Sequence, residues 1–190
     1  MNREELDAEL ASRRIILLDD DINDEMASTV SFWLLAFNLQ SNENINLLIN
    51  TNGGEVKSSF SIYDLIKLSH APVTGLVIGD CKSMGVIILQ ACNVRLATEH
   101  SIFYIHELNW GGNKFILDDD AERLMKEKIE ELKRTREKII NVLTGRPKLT
   151  REKALSLMNK GENNNTHLLA DQALELGLID KIVEKYPLFE

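Results

Sequence analysis

Strand-like runs alternate with helix-like runs through the first half of the sequence, and this alternation restricts the fold more than any other feature. The apolar run "INLLIN" is followed by the turn "TNGG" and by "VKSSFSIYDLIKLS", whose apolar residues recur at helical spacing. The run "VTGLVIG", a strand predicted to end at Ile78, is followed in the same way by "SMGVIILQAC". Because strands joined by crossover helices form parallel sheets, the sequence predicts an α/β fold.

The remaining segments extend this pattern toward both ends of the chain. Strands are predicted at "RRIILL", "RLAT", "SIFYIH" and "LIDKIV", and helices at "INDEMASTVSFWLLAFN", at a short segment ending near Met158, and at "LADQALELG". The polar loop "NKGENNNTH" lies between the last two helices. With 190 residues, of which 44% are hydrophobic, the chain can bury one sizeable core and is predicted to form a single domain.

A long helix is predicted from Asp118, because "DDDAERLMKEKIEELKRTREKIINVLTG" contains no proline and no glycine before Gly145. Residues at spacings of four and three form an apolar stripe that one cation interrupts: Met125, Ile129, Leu132, Arg136, Ile139 and Leu143. At 1.5 Å per residue this helix would be about 35–40 Å long, more than the domain's own core needs. Two interpretations stay open: the helix protrudes and packs against another subunit, or it lies on its own sheet.

The composition counts against several functional classes. A formal net charge of −8, with cations interleaved among acids, does not suit a nucleic-acid partner. No apolar run approaches the roughly 18 residues of a membrane span, and "MNREELDAEL" does not resemble a secretory signal. Cys81 and Cys92 lack metal-site spacing and suit a reducing interior. We therefore expect a cytoplasmic protein without a metal or cofactor, whose acidic clusters at 19–21 and 118–120 cap helices or face solvent.

The octapeptide "GDCKSMGV" places a hydroxyl between two apolar runs, at the predicted start of a helix. Backbone N–H groups point outward at a helix start, so Ser83 is either an ordinary N-cap or a nucleophile beside hydrogen-bond donors. The G-x-S-x-G elbow of α/β-hydrolases is absent, since Cys81 precedes Ser83 by two residues. A nucleophilic serine would also need a base and donors for the oxyanion.

His106 is the candidate base among the four histidines, because it closes the predicted strand "SIFYI" and precedes "ELNWGG". A side chain at a strand end can be aimed into a cleft, although a structural or solvated histidine has the same sequence context. A second glycine-rich turn, "NTNGG", also follows a strand. Its glycines allow a close backbone approach to a substrate, and a simple tight turn explains them equally well.

In combination, these segments resemble the Clp-type serine peptidase subunit, the ClpP family. The resemblance extends over about residues 13–183 and is carried by "RRIILLDDDINDEMA", "LINTNGGEV", "SIYDLI", "IGDCKSMGV", "FYIHE" and "ADQALELGLIDKIV". It implies a crotonase-like ββα superhelix in one peptidase domain over residues 1–190. Residues 13–117 and 145–185 would form its head, and residues 118–144 would form a protruding handle helix.

The resemblance also implies the roles of individual residues. Ser83 would be the nucleophile and His106 the general base, and the backbone N–H groups of Gly54 and Met84 would form the oxyanion hole. The protein would hydrolyse peptide bonds in unfolded proteins or short peptides, inside a homo-oligomeric chamber of two stacked heptameric rings. No cofactor is implied.

Three positions depart from the family pattern. Asn165 occupies the place of the family's catalytic aspartate by ungapped counting, and its neighbours at 162–164 stay open for the same role because the loop is longer than usual. The short segment before the first strand counts against docking of an AAA+ unfoldase. Lys82 stands where the family has small or uncharged residues, and is interpreted as solvated or rim-forming rather than as part of a Ser-Lys dyad.

Two alternative functions follow from these departures and from the fold. The chain could be a weakly active or inactive ring subunit that assembles with an active paralogue. It could also be a crotonase-type acyl-CoA enzyme, since such enzymes polarise a carbonyl with two backbone amides. The sequence has no basic cluster to hold the phosphates of a nucleotide, which ranks this last interpretation lowest.

Overall fold

The structure, a computed structural model, describes residues 2–108, 120–159 and 167–186. It divides into two compact units, Met1–Ile105 with Thr166–Glu190, and His106–Asn165. These boundaries differ from those of the predicted head and handle, and the predicted domain organisation remains a prediction. None of the helices in the described ranges combines the length and hydropathy needed to cross a membrane.

A mostly parallel sheet organises the first unit. Its strands are β1 (Ile15–Leu18), β2 (Ile45–Thr51), β3 (Val73–Lys82), β4 (Val94–Ala97), β5 (Ile102–Tyr104), β6 (His167–Leu169) and β7 (Lys181–Ile182). The order is β1-β2-β3-β4-β7, with β5 beside β3 and β6 beside β5. Only the β5–β6 pair is antiparallel among the described strands. The predicted α/β fold class is confirmed.

Four of the five described helices of the first unit bury apolar residues. The helices of the first unit are α1 (Arg3–Ser12), α2 (Asp24–Gln40), α3 (Val56–Leu68), α4 (Met84–Ala91) and α7 (Ala170–Glu175). In α2 the Asn23 side chain caps the helix start by accepting from the Met26 N–H, and Val30, Leu34 and Phe37 are buried at helical spacing. Every residue of α4 is buried, as expected for its uninterrupted apolar sequence.

The central strand, β3, changes partners along one edge. Its residues Thr74–Val77 pair with β4, and residues Asp80–Lys82 pair with β5 on the same edge. The predicted end of this strand at Ile78 was wrong, because β3 continues to Lys82 and β5 supplies partners for its last three residues. The strand therefore delivers Ser83 directly to the start of α4.

The register between β2 and β3 breaks shortly before both strands end. Ile49 is paired with Val77 and Thr51 with Cys81, so three residues of β3 oppose Asn50 alone. The Asn50 side-chain oxygen accepts the backbone N–H of Asp80 at 2.9 Å and replaces the missing ladder partner. A Cβ at Gly79 would lie 2.5 Å from that oxygen, so the bulge requires glycine at this position.

Two elements were not predicted, and two predicted boundaries were misplaced. Residues 167–169 were assigned to a polar loop and a helix start but form β6, because β5 offers them an antiparallel edge. The segment before β1 contains α1, whose capping box joins Asn2 and Glu5. Strand β5 ends at Tyr104, so His106 lies two residues beyond the strand rather than within it.

The second unit contains α5 (Ala121–Leu143) and α6 (Arg151–Met158). With 23 residues, α5 is about 35 Å long, as the sequence predicted. Ile139, Ile140 and Leu143 are buried near its end, whereas Leu124, Met125 and Ile129 near its start are 38–44% exposed. The two helices are joined by an ion pair in which Arg151 donates to both carboxylate oxygens of Glu137, at 2.7 and 2.8 Å.

Replacing Asn50 tests whether its side chain holds the bulge in β3. Asn50→Ala removes the acceptor of the Asp80 N–H, and we expect a loss of about 1 kcal/mol in the free energy of unfolding, measured by urea denaturation. The matched control is Asn52→Ala, because the Asn52 oxygen makes only a 3.4 Å contact with the Lys82 ammonium. Equal losses in the two variants would contradict the bridging role of Asn50.

Candidate active site

Ser83 has a strained backbone at the junction between β3 and α4. Its φ is 51° and its ψ is −122°, in the left-handed region that favours glycine. A non-glycine residue in such a region costs about 1–3 kcal/mol and persists only where the surrounding structure enforces it. Here the Ser83 N–H donates to the Tyr104 carbonyl at 2.7 Å, which anchors the turn to the end of β5.

The hydroxyl of Ser83 does not serve as a helix cap. Ser83 occupies the N-cap position of α4, but its side chain makes no capping hydrogen bond, and it has no hydrogen bond to any other described residue. The capping interpretation of the sequence is therefore not supported. The hydroxyl lies half-buried at a helix start, where backbone N–H groups point outward.

The turn at Ser83 has the shape of a nucleophile elbow without the usual sequence motif. Cys81 and Gly85, two residues before and after the serine, face each other, since a Cβ at Gly85 would lie 3.8 Å from the Cys81 sulfur. The same Cβ would lie 2.6 Å from the Thr51 methyl, so Gly85 has to be glycine while the position of Cys81 accepts a small side chain. Burial raises the pKa of the Cys81 thiol, with Cys92 and Asp80 adding to the effect, so this thiol is not a competing nucleophile.

A glycine pair follows β2 and lies directly against Ser83. A Cβ at Gly53 would lie 2.6 Å from the Ser83 Cβ and 3.1 Å from the Met84 nitrogen. A Cβ at Gly54 would lie 2.2 Å from the Ile22 carbonyl oxygen. Both glycines have positive φ values, 100° and 152°. The close approach and the backbone conformation therefore both require glycine here.

Two backbone N–H groups are available beside the serine. The bridge between Ile22 and Gly54 uses the Gly53 carbonyl and the Glu55 N–H, at 2.8 and 2.7 Å, so the N–H of Gly54 points away from Ile22. Gly54 is exposed. The N–H of Met84 is the first in α4 and has no partner within the helix. Backbone N–H groups that have no partner in a helix or bridge are the kind of donor that an oxyanion hole uses.

Thr51 joins the glycine turn to the loop after β1. Its hydroxyl donates to the Asp20 carbonyl at 2.6 Å and accepts from the Gly53 N–H at 3.0 Å. Thr51 is 2% exposed and Gly53 is buried, so the Gly53 N–H depends on the hydroxyl rather than on water. These two hydrogen bonds connect the turn that carries Gly54 to the loop after β1.

Lys82 is paired and does not act as a base for the serine. Its ammonium lies 2.6 Å from the Asp80 carboxylate and 3.4 Å from the Asn52 oxygen. Residues 80 and 82 share one face of β3, and the two charges neutralise each other there. The sequence interpretation of Lys82 as solvated or rim-forming did not include this ion pair, and 21% of the side chain stays exposed. The absence of a Ser-Lys dyad is consistent with this pairing.

His106, the first residue of the second unit, has its tautomer set by a backbone group. Its Nδ1 lies 2.6 Å from the Glu107 carbonyl oxygen. A carbonyl can only accept, so Nδ1 carries the proton and Nε2 has the lone pair that a general base uses. This assignment follows from the chemistry of the acceptor and does not depend on a carboxylate.

The structure brings together only part of the predicted site. Ser83, Met84 and the glycine turn with Gly54 meet within the first unit, while His106 begins the second. Asn165 and the alternatives at 162–164 lie outside the described residues. Sequence reasoning missed the supporting roles of Gly53, Thr51 and Tyr104. The "TNGG" motif signalled the first two, whereas nothing local signalled Tyr104.

No group of histidine, cysteine and acidic side chains within the described ranges is arranged to hold a metal ion. In the acidic cluster at 19–21, the Asp20 carboxylate makes a local hydrogen bond, since it accepts from the Asp21 N–H at 2.7 Å. In the second, Asp120 lies at the N-cap position of α5 and pairs with Arg123 at 3.1 Å. Both contacts are those expected near turns and helix starts.

A protein-family model described as "Clp protease" matches residues 2–186 of this chain. The chain belongs to the Clp protease family. Among solved structures it is similar to "ClpP1 N165D mutant from Listeria monocytogenes", at 24% sequence identity, with 97% of this chain and 99% of that chain covered and a TM-score of 0.79. This likeness shows the crotonase-like α/β fold of ClpP, which confirms the fold inferred from the sequence.

Replacing Thr51 tests how the Clp protease fold supports the glycine turn. Thr51→Val keeps the shape but leaves the Gly53 N–H and the Asp20 carbonyl without a partner, at a cost of about 1–3 kcal/mol in the free energy of unfolding. Thr51→Ser, which keeps the hydroxyl, is the matched control and should lose less. The measurement is urea denaturation, and equal or larger destabilisation in the serine variant would contradict the role of the hydroxyl.

Proposed function

We propose that this chain is a serine endopeptidase of the Clp type, which hydrolyses peptide bonds in unfolded proteins or short peptides. The observation that carries the proposal is the strained, non-capping Ser83 at the start of α4 and against a glycine turn, in a chain of the Clp protease family. A serine forced into a glycine-like conformation points to a functional constraint, because a residue with no such constraint would relax or be replaced by glycine.

The proposed reaction uses Ser83, His106 and two backbone donors. The Ser83 hydroxyl attacks the scissile carbonyl while the Nε2 of His106 takes its proton, and the same proton then passes to the leaving amine. The N–H groups of Gly54 and Met84 stabilise the oxyanion, each contributing on the order of 3 kcal/mol. Water, activated by His106, then attacks the acyl-enzyme and releases the second product.

Chain connectivity supports the pairing of Ser83 with His106. The carbonyl that accepts the Ser83 N–H belongs to Tyr104, and His106 follows it by two residues. Two residues span at most about 7 Å between Cα atoms, so the chain limits how far the backbone of the proposed base lies from that carbonyl. The tautomer of His106 supports the same role, because its Nε2 is the acceptor.

The proposed enzyme acts in the cytoplasm as two stacked heptameric rings that enclose a chamber. The apolar side chains exposed near the start of α5 support a contact with another subunit, as do Phe32, Leu35 and Leu39 on α2, which are 54–89% exposed. A native mass near that of fourteen chains supports this assembly, and a monomer would contradict it. The proposal includes an AAA+ unfoldase as a partner only where the substrate is a folded protein.

A fluorophosphonate probe tests the nucleophile. We expect it to label the wild type and Ser12→Ala, a control at an exposed serine of α1, and to leave Ser83→Ala unlabelled. Hydrolysis of a fluorogenic peptide should fall at least about 10³-fold in Ser83→Ala alone. Equal labelling of all three proteins would overturn the proposed nucleophile. If the three proteins form rings and none of them is labelled, the chain is an inactive subunit.

Asn165 is proposed to accept from the His106 Nδ1–H through its side-chain carbonyl when substrate is bound. Asn165→Ala should lower kcat, and Asn165→Asp should raise kcat by about tenfold or more, since a carboxylate also stabilises the imidazolium. Asn163→Ala and Asn164→Ala are matched controls in the same loop. A loss confined to one of these controls would assign the role to that neighbour instead.

A further inference from the structure

An ion pair in the second unit connects the segment of His106 to the long helix α5. The Nε of Arg136 donates to the Glu107 carboxylate at 2.8 Å, and 31% and 37% of the two side chains are exposed. The other oxygen of that carboxylate accepts the Leu108 N–H at 3.1 Å. Glu107 is therefore held from two sides, immediately after the proposed base.

Arg136 also contacts the end of α6. Its Nη2 donates to the side-chain oxygen of Asn159 at 3.4 Å. Asn159 is the last described residue before the loop at 160–166, which carries Asn165. One guanidinium thus contacts both Glu107 and the residue after α6, because its donors form a fixed planar fork.

This arrangement explains the interruption of the apolar stripe on α5. Several other cations of the helix pair with acids on the same helix, among them Arg123 with Glu127, Lys126 with Glu122 and Lys133 with Glu130. Arg136 occupies a stripe position at which an apolar residue is expected, and it contacts Glu107 from a sequence distance of 29 residues. An isolated exposed ion pair contributes little stability, so folding alone gives little reason for a cation at this position.

We infer that Arg136 is a positioning residue for catalysis, which acts through Glu107 to hold His106 at the serine. The inference rests on the proposed function, because it gives Arg136 a role only if His106 is the base. Glu107 is joined to His106 by a peptide bond, and its carbonyl contacts the His106 Nδ1 in the structure, so a displacement of Glu107 displaces the imidazole whichever group accepts its N–H once substrate is bound. A displacement of about 1 Å at a catalytic group can lower the rate about 100-fold.

The test compares Arg136→Met with Arg134→Met, a control that removes an exposed cation from the same helix. We expect Arg136→Met to lower kcat about 10- to 100-fold with KM nearly unchanged, and Arg134→Met to behave as the wild type. Arg136→Lys and Glu107→Gln, which each keep a hydrogen-bonding group, should retain more activity than Arg136→Met and Glu107→Leu. Thermal unfolding and the native particle mass are measured for every variant.

A double-mutant cycle separates positioning from independent effects. If Arg136 acts through Glu107, the double variant Glu107→Leu with Arg136→Met should lose no more kcat than the worse single variant. Losses that multiply would overturn the inference, as would equal activity in the Arg136→Met and Arg134→Met proteins. A loss of activity that is accompanied by a smaller particle would also overturn it, in favour of a role in assembly.

The failure of this inference is distinguishable from failure of the proposed function. If the wild type does not label or hydrolyse peptide, and Ser83→Ala does not differ from it, the proposed function fails whatever Arg136 does. If the wild type is active through Ser83 and Arg136→Met matches its control, only the role of Arg136 is lost.

Discussion

The parallel pairing of β2 with β3 is the interaction on which the rest of the structure depends. Leu47, Ile49 and Val77 in this pair are buried completely, as expected for a parallel sheet covered on both faces. Adjacent parallel strands end at the same edge of a sheet. The turn after β2 and the turn after β3 therefore meet, and the first carries Gly54 while the second carries Ser83. The core that stabilises the fold also brings the turn of Gly54 next to the turn of Ser83, the proposed oxyanion donor and the proposed nucleophile.

Local pattern was enough to predict most of this framework. The apolar runs of β2 and β3 and the helical spacing in α3 are contained within single segments, so their structure follows from nearby residues. Ser83, Met84 and Gly54 were predicted as site residues from local pattern too, because each lies next to a strand end marked by glycine, and their catalytic roles stay a prediction. The apolar stripe and the absence of proline and glycine likewise predicted the length of α5.

The remaining features depend on contacts between distant segments. The last residues of β3 form a strand only because β5 pairs with them, and β6 forms only because β5 has a second edge. The carbonyl of Tyr104 that anchors Ser83 is 21 residues away along the chain by sequence number, and no local pattern marks it. The pairing of Lys82 with Asp80 requires knowing that β3 continues, since otherwise these residues would lie in a turn. Ending β3 too early accounts for the missed residues at its end and for the missed pairing of Lys82 with Asp80.

The main chain, rather than side-chain hydrogen bonds, determines the geometry around Ser83. The direction of the Ser83 side chain is set by the positive φ and by the hydrogen bond from the Ser83 N–H to the Tyr104 carbonyl, and Gly53 lies directly beside it. The hydroxyl is consequently not engaged in capping the helix. The tautomer of His106 is set in the same way, by the carbonyl of Glu107. A turn built from backbone groups can accept a charged neighbour such as Lys82, provided that an adjacent acid neutralises it, because that side chain has no part in orienting Ser83.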